Sequence, residues 1–276
     1  VHPATLPVTT TTDLVYAEVA GHALTLDLHR PDTAEPVPVV AYFHGGAWAV
    51  GDKAEGAAER LAALAAYGVA VVSANYRLVP SGATHPAQLH DAKAVIRWIR
   101  ARGHDHDLAT DRVAAWGASA GAYLATMLGL TAGDPDLEGE VGDAAEASSA
   151  VDAVVDWFGQ SDLVENARRS GLETAILAPP VEPPLFGIGS VDDDPNRVRA
   201  ASPLSHVGPS APPFLISHGD RDRVTPMTES RALHDALVRA GVESTLVVVG
   251  GAGHEGAAFD ASSHLAMTAA FLRAHL

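Results

Sequence analysis

The feature that most constrains this chain is a series of short, continuous apolar runs separated by segments of helical periodicity. Residues 37–43 and 69–74 are runs of the kind expected of strands buried on both faces, 113–116 reads as a short strand, and 151–158, 214–217 and 246–249 continue the series. Between them, 57–66, 87–102, 120–130, 228–240 and 262–276 read as helices. In the second of these, Leu89, Ala92, Val95, Ile96 and Ile99 share one face and Gly103 supplies the stop. Residues 14–19 and 23–28 alternate apolar and polar around Gly21, which predicts an opening antiparallel hairpin. Strand–helix–strand repetition predicts an α/β fold with a mostly parallel sheet, helices on both faces and right-handed crossovers. In such sheets the chemistry sits on loops at the carboxyl ends of the strands. No internal repeat or linker divides the pattern, so 1–276 reads as a single domain.

Composition removes several function classes. The chain has 18 Lys+Arg against 34 Asp+Glu, a net charge of −16, which gives nucleic-acid binding no electrostatic footing and argues against docking on an anionic membrane. No apolar run is long enough to span a bilayer. Cysteine is absent, which excludes disulfides, thiolate metal sites and cysteine nucleophiles. The His residues are scattered and lack a ligand spacing such as H-E-x-x-H, so no metal site is expected. Residues 1–12 contain neither a basic n-region nor an apolar h-region. The leading Val reads either as the result of a removed export signal or as an alternative start codon translated literally. The second is preferred, with a cytoplasmic location as the expectation. Two segments interrupt the rhythm. Residues 132–150 are acidic and rich in small residues, and read as a solvated surface excursion. Residues 159–213 form a long insertion ahead of the strand at 214–217, with Pro179, Pro180, Pro183 and Pro184, and are expected to act as a pocket wall or lid, with an inert surface insertion as the alternative.

The strongest local signal is G-A-S-A-G, Gly117 to Gly121, directly after a predicted strand and directly before a predicted helix. A nucleophile on a tight strand-to-helix turn needs small neighbours, and the helix N-terminus favours developing negative charge. Ser119 is therefore the candidate nucleophile. Serine needs a base, and His254 in G-G-A-G-H-E-G follows the last buried run, on a glycine-rich loop able to reach across. Asp220 and Asp222 share the loop after 214–217. Asp222 lies further out and is assigned to steady the imidazole, while Asp220 reads as a turn residue or a partner for an arginine. The chain order Ser, Asp, His is that of α/β-hydrolases.

Phe43-His44-Gly45-Gly46-Ala47-Trp48 follows the first buried run. Glycines let a main chain turn its amides inward, so Gly45, Gly46 and Ala47 are oxyanion-hole candidates, with donors near Gly46 and Ala47 converging on the amide of Ala120. His44 reads as a brace for this loop, and Trp48 either as a candidate for the substrate pocket wall or as a plain packing residue.

With these pieces together, the sequence resembles the α/β-hydrolase superfamily. More closely it resembles the H-G-G-G-W esterases of the hormone-sensitive-lipase-like and bacterial feruloyl-esterase-like (BD-FAE) groups. The likeness also covers Tyr76-Arg77-Leu78-Val79-Pro80, His85-Pro86-Ala87 with Asp91, Asp156-Trp157-Phe158-Gly159 with Asp162, and the stretch from Ala201-Ser202-Pro203 to His218-Gly219. It implies an eight-stranded, mostly parallel sheet, an acyl-enzyme mechanism on a small-molecule ester of small to medium acyl length, and no cofactor. By matched motif it implies Ser119, Asp222 and His254 as a triad and Gly46, Ala47 and Ala120 as oxyanion donors. Two departures stand out. Ala47 replaces a third glycine, which matters only if φ there is positive. Glu255 replaces a small residue, and a carboxylate beside His254 would raise its pKa. The rival readings are a small-amide hydrolase resembling kynurenine formamidase and, from another class, a non-catalytic ligand-binding member of the fold.

Overall fold

Alternation along β3 (Val37–Phe43) shows how the molecule is layered. Val39, Ala41 and Phe43 enter one hydrophobic layer and Val40 and Tyr42 the other, all of them buried. A strand whose successive residues face opposite layers must be apolar throughout, which accounts for the continuous run. The computed structural model describes residues 5–168 and 179–276. Residues 1–4 of the N-terminal segment and 169–178 of the long insertion lie outside the described residues.

Together with β1 (Val8–Val19), β2 (His22–Pro31), β4 (Ala70–Ala74), β5 (Leu108–Ala118), β6 (Ala153–Trp157), β7 (Phe214–Gly219) and β8 (Ser244–Val249), β3 forms one eight-stranded sheet. The order is β1-β2-β4-β3-β5-β6-β7-β8. β2 pairs antiparallel with both β1 and β4, and every pairing from β4 to β8 is parallel. Helices α1 (Ala87–Arg102), α2 (Ala120–Leu130) and α3 (Thr228–Arg239) bury Leu89, Leu124 and Leu233 in the layer that takes Phe43. Helix α4 (Ser262–His275) closes the other layer with Leu265 and Leu272, beside Leu61 and Leu64. None of the described helices is long and apolar enough to cross a membrane.

Three expectations need correction. β5 starts at Leu108 rather than Val113, because Leu108 and Ala109 pair with Val37 and Pro38 ahead of a register shift; polar Thr110, Asp111 and Arg112 hid that extension. The segment predicted as a helix at 57–66 is a π turn, Ala57–Ala62, followed by the short α-helical Ala63–Ala65. The amides of Arg60 and Leu61 both reach the Gly56 carbonyl, at 2.9 and 3.0 Å, which widens the turn. Residues 132–150 are not simply a solvated excursion. Glu138 turns inward to accept from Lys93 Nζ at 2.7 Å and Arg97 Nη1 at 3.2 Å, two cations buried on α1. The described parts of the 159–213 insertion dock on the body: Glu229 of α3 accepts from the amides of Ser161 and Asp162, and Tyr123 of α2 donates to the Ala201 carbonyl at 3.0 Å.

Candidate active site

Parallel register brings the strand ends to one edge. Phe43 lies opposite both Ala74 and Gly117, Ala118 opposite Trp157, Trp157 opposite Ser217, and Gly219 opposite Val249. The loops after β3, β5, β7 and β8 therefore leave together. After β3 the chain goes to β4 on one side and then to β5 on the other, so the edge above β3 and β5 is the topological switch point.

Ser119 stands between β5 and α2 with φ 53° and ψ −119°, a strained conformation for a residue with a side chain. The turn is possible because of its glycines. A Cβ on Gly117 would overlap the Gly121 backbone, and one on Gly121 would overlap the Phe43 and His44 carbonyls. The Ser119 amide donates to Trp157 O at 2.9 Å, which ties the turn to the end of β6.

Three predicted residues converge. Ser119 Oγ lies 2.8 Å from His254 Nε2, and His254 Nδ1 lies 2.7 Å from Asp222 Oδ2. A carboxylate only accepts, so Nδ1 carries the proton and Nε2 offers its lone pair to the serine hydroxyl. The Asp222 carboxylate is fully buried. Burial alone would raise its pKa, but hydrogen bonds from His218 and His254, the His254 charge and the Val224 amide outweigh it and hold the carboxyl well below the usual range. The other oxygen, Oδ1, accepts from Val224 N at 2.8 Å and Thr225 N at 3.0 Å. Asp220 stays apart as a turn residue, its Oδ1 accepting from the Gly251 amide at 2.6 Å.

The loop after β3 closes on itself: the Ala49 and Val50 amides both donate to Gly46 O, at 2.9 and 3.0 Å, so the closure does not use the amides of Gly46 or Ala47. Gly45 packs on the elbow, where a Cβ would meet Ser119 Cβ at 3.5 Å. Ala120 follows Ser119 as the first residue of α2. His44 is buried, donates from Nδ1 to Gly45 O at 2.7 Å and stacks on Tyr76 at 4.5 Å; burial lowers its pKa although the Gly45 bond opposes this. Ala47 does have positive φ, 55°, so the missing third glycine carries a local strain. Of the two readings of Trp48, packing is the one that its surroundings match. Its ring is fully buried, edge-on to Tyr123 at 5.3 Å, and it packs rather than facing an open pocket.

Glu255, the other departure, has a partner of its own. Its carboxylate is taken by Arg60 Nη1 at 3.2 Å instead of facing His254. Sequence reading missed Arg60 and gave His218 no role. His218 is fully buried, with Nε2 3.1 Å from Asp222 Oδ2 and 2.9 Å from Thr225 O, and with Nδ1 2.7 Å from Ser230 Oγ. A histidine in a buried strand, just after the apolar run Phe214–Ile216 and Ser217, was the available signal for His218. An arginine among alanines and leucines was the signal for Arg60. Among the described residues no group of three or more His, Cys, Asp or Glu side chains is placed to hold a metal ion.

An eight-stranded, mostly parallel sheet with a serine elbow after β5 and a histidine loop after β8 defines an α/β-hydrolase. The BD-FAE family model matches residues 26–237, and the chain belongs to that family. It is 33% identical over 224 residues to esterase LipC and 34% identical over 236 residues to esterase LipQ, both of Mycobacterium tuberculosis. These matches cover 81% and 84% of this chain but 54% and 53% of those proteins, so the chain spans about half the length of the curated relatives it matches. Among solved structures it resembles a truncated carbohydrate esterase from gut microbiota, with TM-score 0.86, 29% identity, and 99% of this chain and 97% of that one covered. It also resembles the propionate-bound esterase Est2 of Thermogutta terrifontis, with TM-score 0.75, 25% identity, and 99% and 95% covered.

Proposed function

We propose that this protein is a serine carboxylic-ester hydrolase acting on small to medium acyl esters. The observation that carries the reading is the hydrogen-bonded chain from Ser119 Oγ through His254 to the buried Asp222, mounted on a strained turn at the N-terminus of α2.

Ser119 Oγ attacks the ester carbonyl carbon as His254 Nε2 takes its proton, and Asp222 stabilises the resulting imidazolium. The carbonyl oxygen becomes the oxyanion, received by backbone N–H groups of the Gly45–Ala47 stretch and of Ala120; one such donor is worth about 3 kcal/mol in the transition state. His254 returns the proton to the leaving alcohol. Water then attacks the acyl-enzyme with His254 again as base. The names of LipC, LipQ and the gut-microbiota carbohydrate esterase support ester chemistry, and propionate in Est2 supports a short acyl group. The catalytic chain uses only protein groups, and no cofactor or metal is assigned to it.

Hydrolysis of p-nitrophenyl acetate, butyrate and octanoate by wild type and Ser119→Ala tests this. Turnover is expected to fall by orders of magnitude in the variant and to favour the shorter chains. Equal turnover by the two proteins would overturn the assignment of Ser119.

A further inference from the structure

The loop that carries His254 is tied to the β7 end only ahead of the histidine, where Gly251 N donates to Asp220 Oδ1 at 2.6 Å and Arg221 N to Ala252 O at 2.9 Å. Gly250, Gly251, Gly253 and Gly256 each have open space where a Cβ would stand, and Glu255 and Gly256 have φ of 72° and 120°. Beneath the loop, Phe158 lies edge-on to the His254 ring at 4.8 Å and to Phe259 at 4.6 Å. This aromatic floor supports the ring from one side but sets no position along the loop. A backbone so rich in glycine needs some polar tie to hold an imidazole within hydrogen-bond reach of two partners at once.

After the histidine, at Glu255, that tie comes from a residue 195 positions earlier in the chain. Arg60, on the π turn Ala57–Ala62, has its guanidinium buried. Nε and Nη2 donate to Asp260 Oδ1 and Oδ2 at 2.6 and 3.2 Å, and Nη1 donates to Glu255 Oε1 at 3.2 Å and to the Tyr42 hydroxyl at 2.9 Å. The guanidinium carbon also lies 5.3 Å from the centroid of the Trp157 ring. One planar cation thus grips the residue immediately after His254 and the residue that closes the loop before α4, while Tyr42 of β3 and Trp157 of β6 fix the cation to the sheet. The pair forked with Asp260 has the geometry that makes arginine, and not lysine, suited to this task.

We propose that Arg60 is a positioning residue for His254: by clamping Glu255 and Asp260 it holds the imidazole in register with Ser119 and Asp222. This rests on the assignment of His254 as the base. Arg60 makes no contact with the serine or the carboxylate of the triad and acts only through the loop. It also lines, with Glu59, His254, Glu255, Gly256, Ala257 and Asp260, an open cleft of about 630 Å³, so a small cation can reach its position from solvent.

The test uses Arg60→Gly, Arg60→Lys and Glu255→Gln, the last at a half-exposed carboxylate. Two readouts are taken: kcat and KM for p-nitrophenyl acetate, and the downfield proton resonance of the His254 Nδ1–H···Asp222 bond, assigned by its absence from His254→Gln. In Arg60→Gly, kcat is expected to fall at least tenfold with KM within twofold, and millimolar guanidinium is expected to restore kcat there without raising that of wild type. Arg60→Lys should recover only part of the loss, and Glu255→Gln should lose about threefold. The resonance should be sharp in wild type and broadened or lost in Arg60→Gly. Unchanged kcat together with an unchanged resonance in Arg60→Gly overturns the proposal, as does absence of the resonance from wild type. Lack of turnover by wild type would instead sink the esterase reading, and the resonance would still decide whether Arg60 holds the ring.

Discussion

Gly121 faces the carbonyl oxygens of Phe43 and His44 so closely that no methyl group fits between them. The contact joins the first turn of α2 to the start of the loop after β3, so the serine elbow and the candidate oxyanion loop are built against each other as one unit. Gly121→Ala is expected to destabilise the protein by about 2 kcal/mol through overpacking of backbone that cannot relax, and to lower kcat by displacing one part against the other. Gly208 has open space around it and no positive φ, so Gly208→Ala should stay within about 0.5 kcal/mol of wild type. Urea denaturation of the two variants beside wild type makes the comparison.

The φ of 53° at Ser119 is a cost carried for position. Glycine takes that conformation without penalty, whereas alanine does not. Ser119→Gly should therefore be inactive yet more stable than Ser119→Ala by about 1 kcal/mol. Equal midpoints for the two variants in chemical denaturation would mean that the elbow stores no strain.

The parts that were legible in the sequence are those whose chemistry is local. The run at 37–43 and the helices at 87–102 and 120–130 carry their own periodicity and stops, and they occur as read. Ser119 and Asp222 could be singled out because each lies just beyond a buried strand, and His254 because it follows the last apolar run, although that run, β8, is a half-exposed edge strand and not a buried one. What was not legible depends on partners far along the chain. Nothing near Glu255 indicates that its carboxylate meets a guanidinium 195 residues away. Nor does the alanine-rich segment at 57–66 disclose that an inward-facing arginine shares space with a π turn. Trp48 could be read as pocket wall or as packing from its place after the oxyanion loop, because its burial against Tyr123 is a tertiary outcome. The acidic 132–150 segment read as solvated because the cations that draw Glu138 inward sit on α1.

The depressed Asp222 pKa has a sign that can be followed into stability. Unfolded, the carboxyl titrates near about 3.9. Folded, it titrates lower, so its contribution is fully present above the unfolded value and is lost as pH falls through the folded value. Asp222→Asn lacks this contribution. The stability gap between wild type and Asp222→Asn is expected to be widest near neutral pH and to narrow steadily on acidification below about pH 4. Denaturation curves for both proteins across that range give the gap directly, and a gap independent of pH would mean that the carboxylate gains nothing from its donors.

Asp222 is held by two histidines, and only one of them faces the serine. His218 Nε2 lies near two acceptors, the Thr225 carbonyl and Asp222 Oδ2, so it carries the proton, and Nδ1 accepts from the Ser230 hydroxyl. His218→Leu would leave the Ser230 hydroxyl, the Thr225 carbonyl and part of the Asp222 charge without that partner in a buried site, a loss of about 3 kcal/mol. Ser230→Ala removes one hydroxyl and its single bond, and should cost nearer 1 kcal/mol. If His218 acts on Asp222 and is not merely core, the two changes His218→Leu and Asp222→Asn should be strongly non-additive, coupled by at least about 1 kcal/mol in a double-mutant cycle. Simple additivity would place His218 in the packing beneath β7 and leave His254 as the one histidine that matters to the carboxylate.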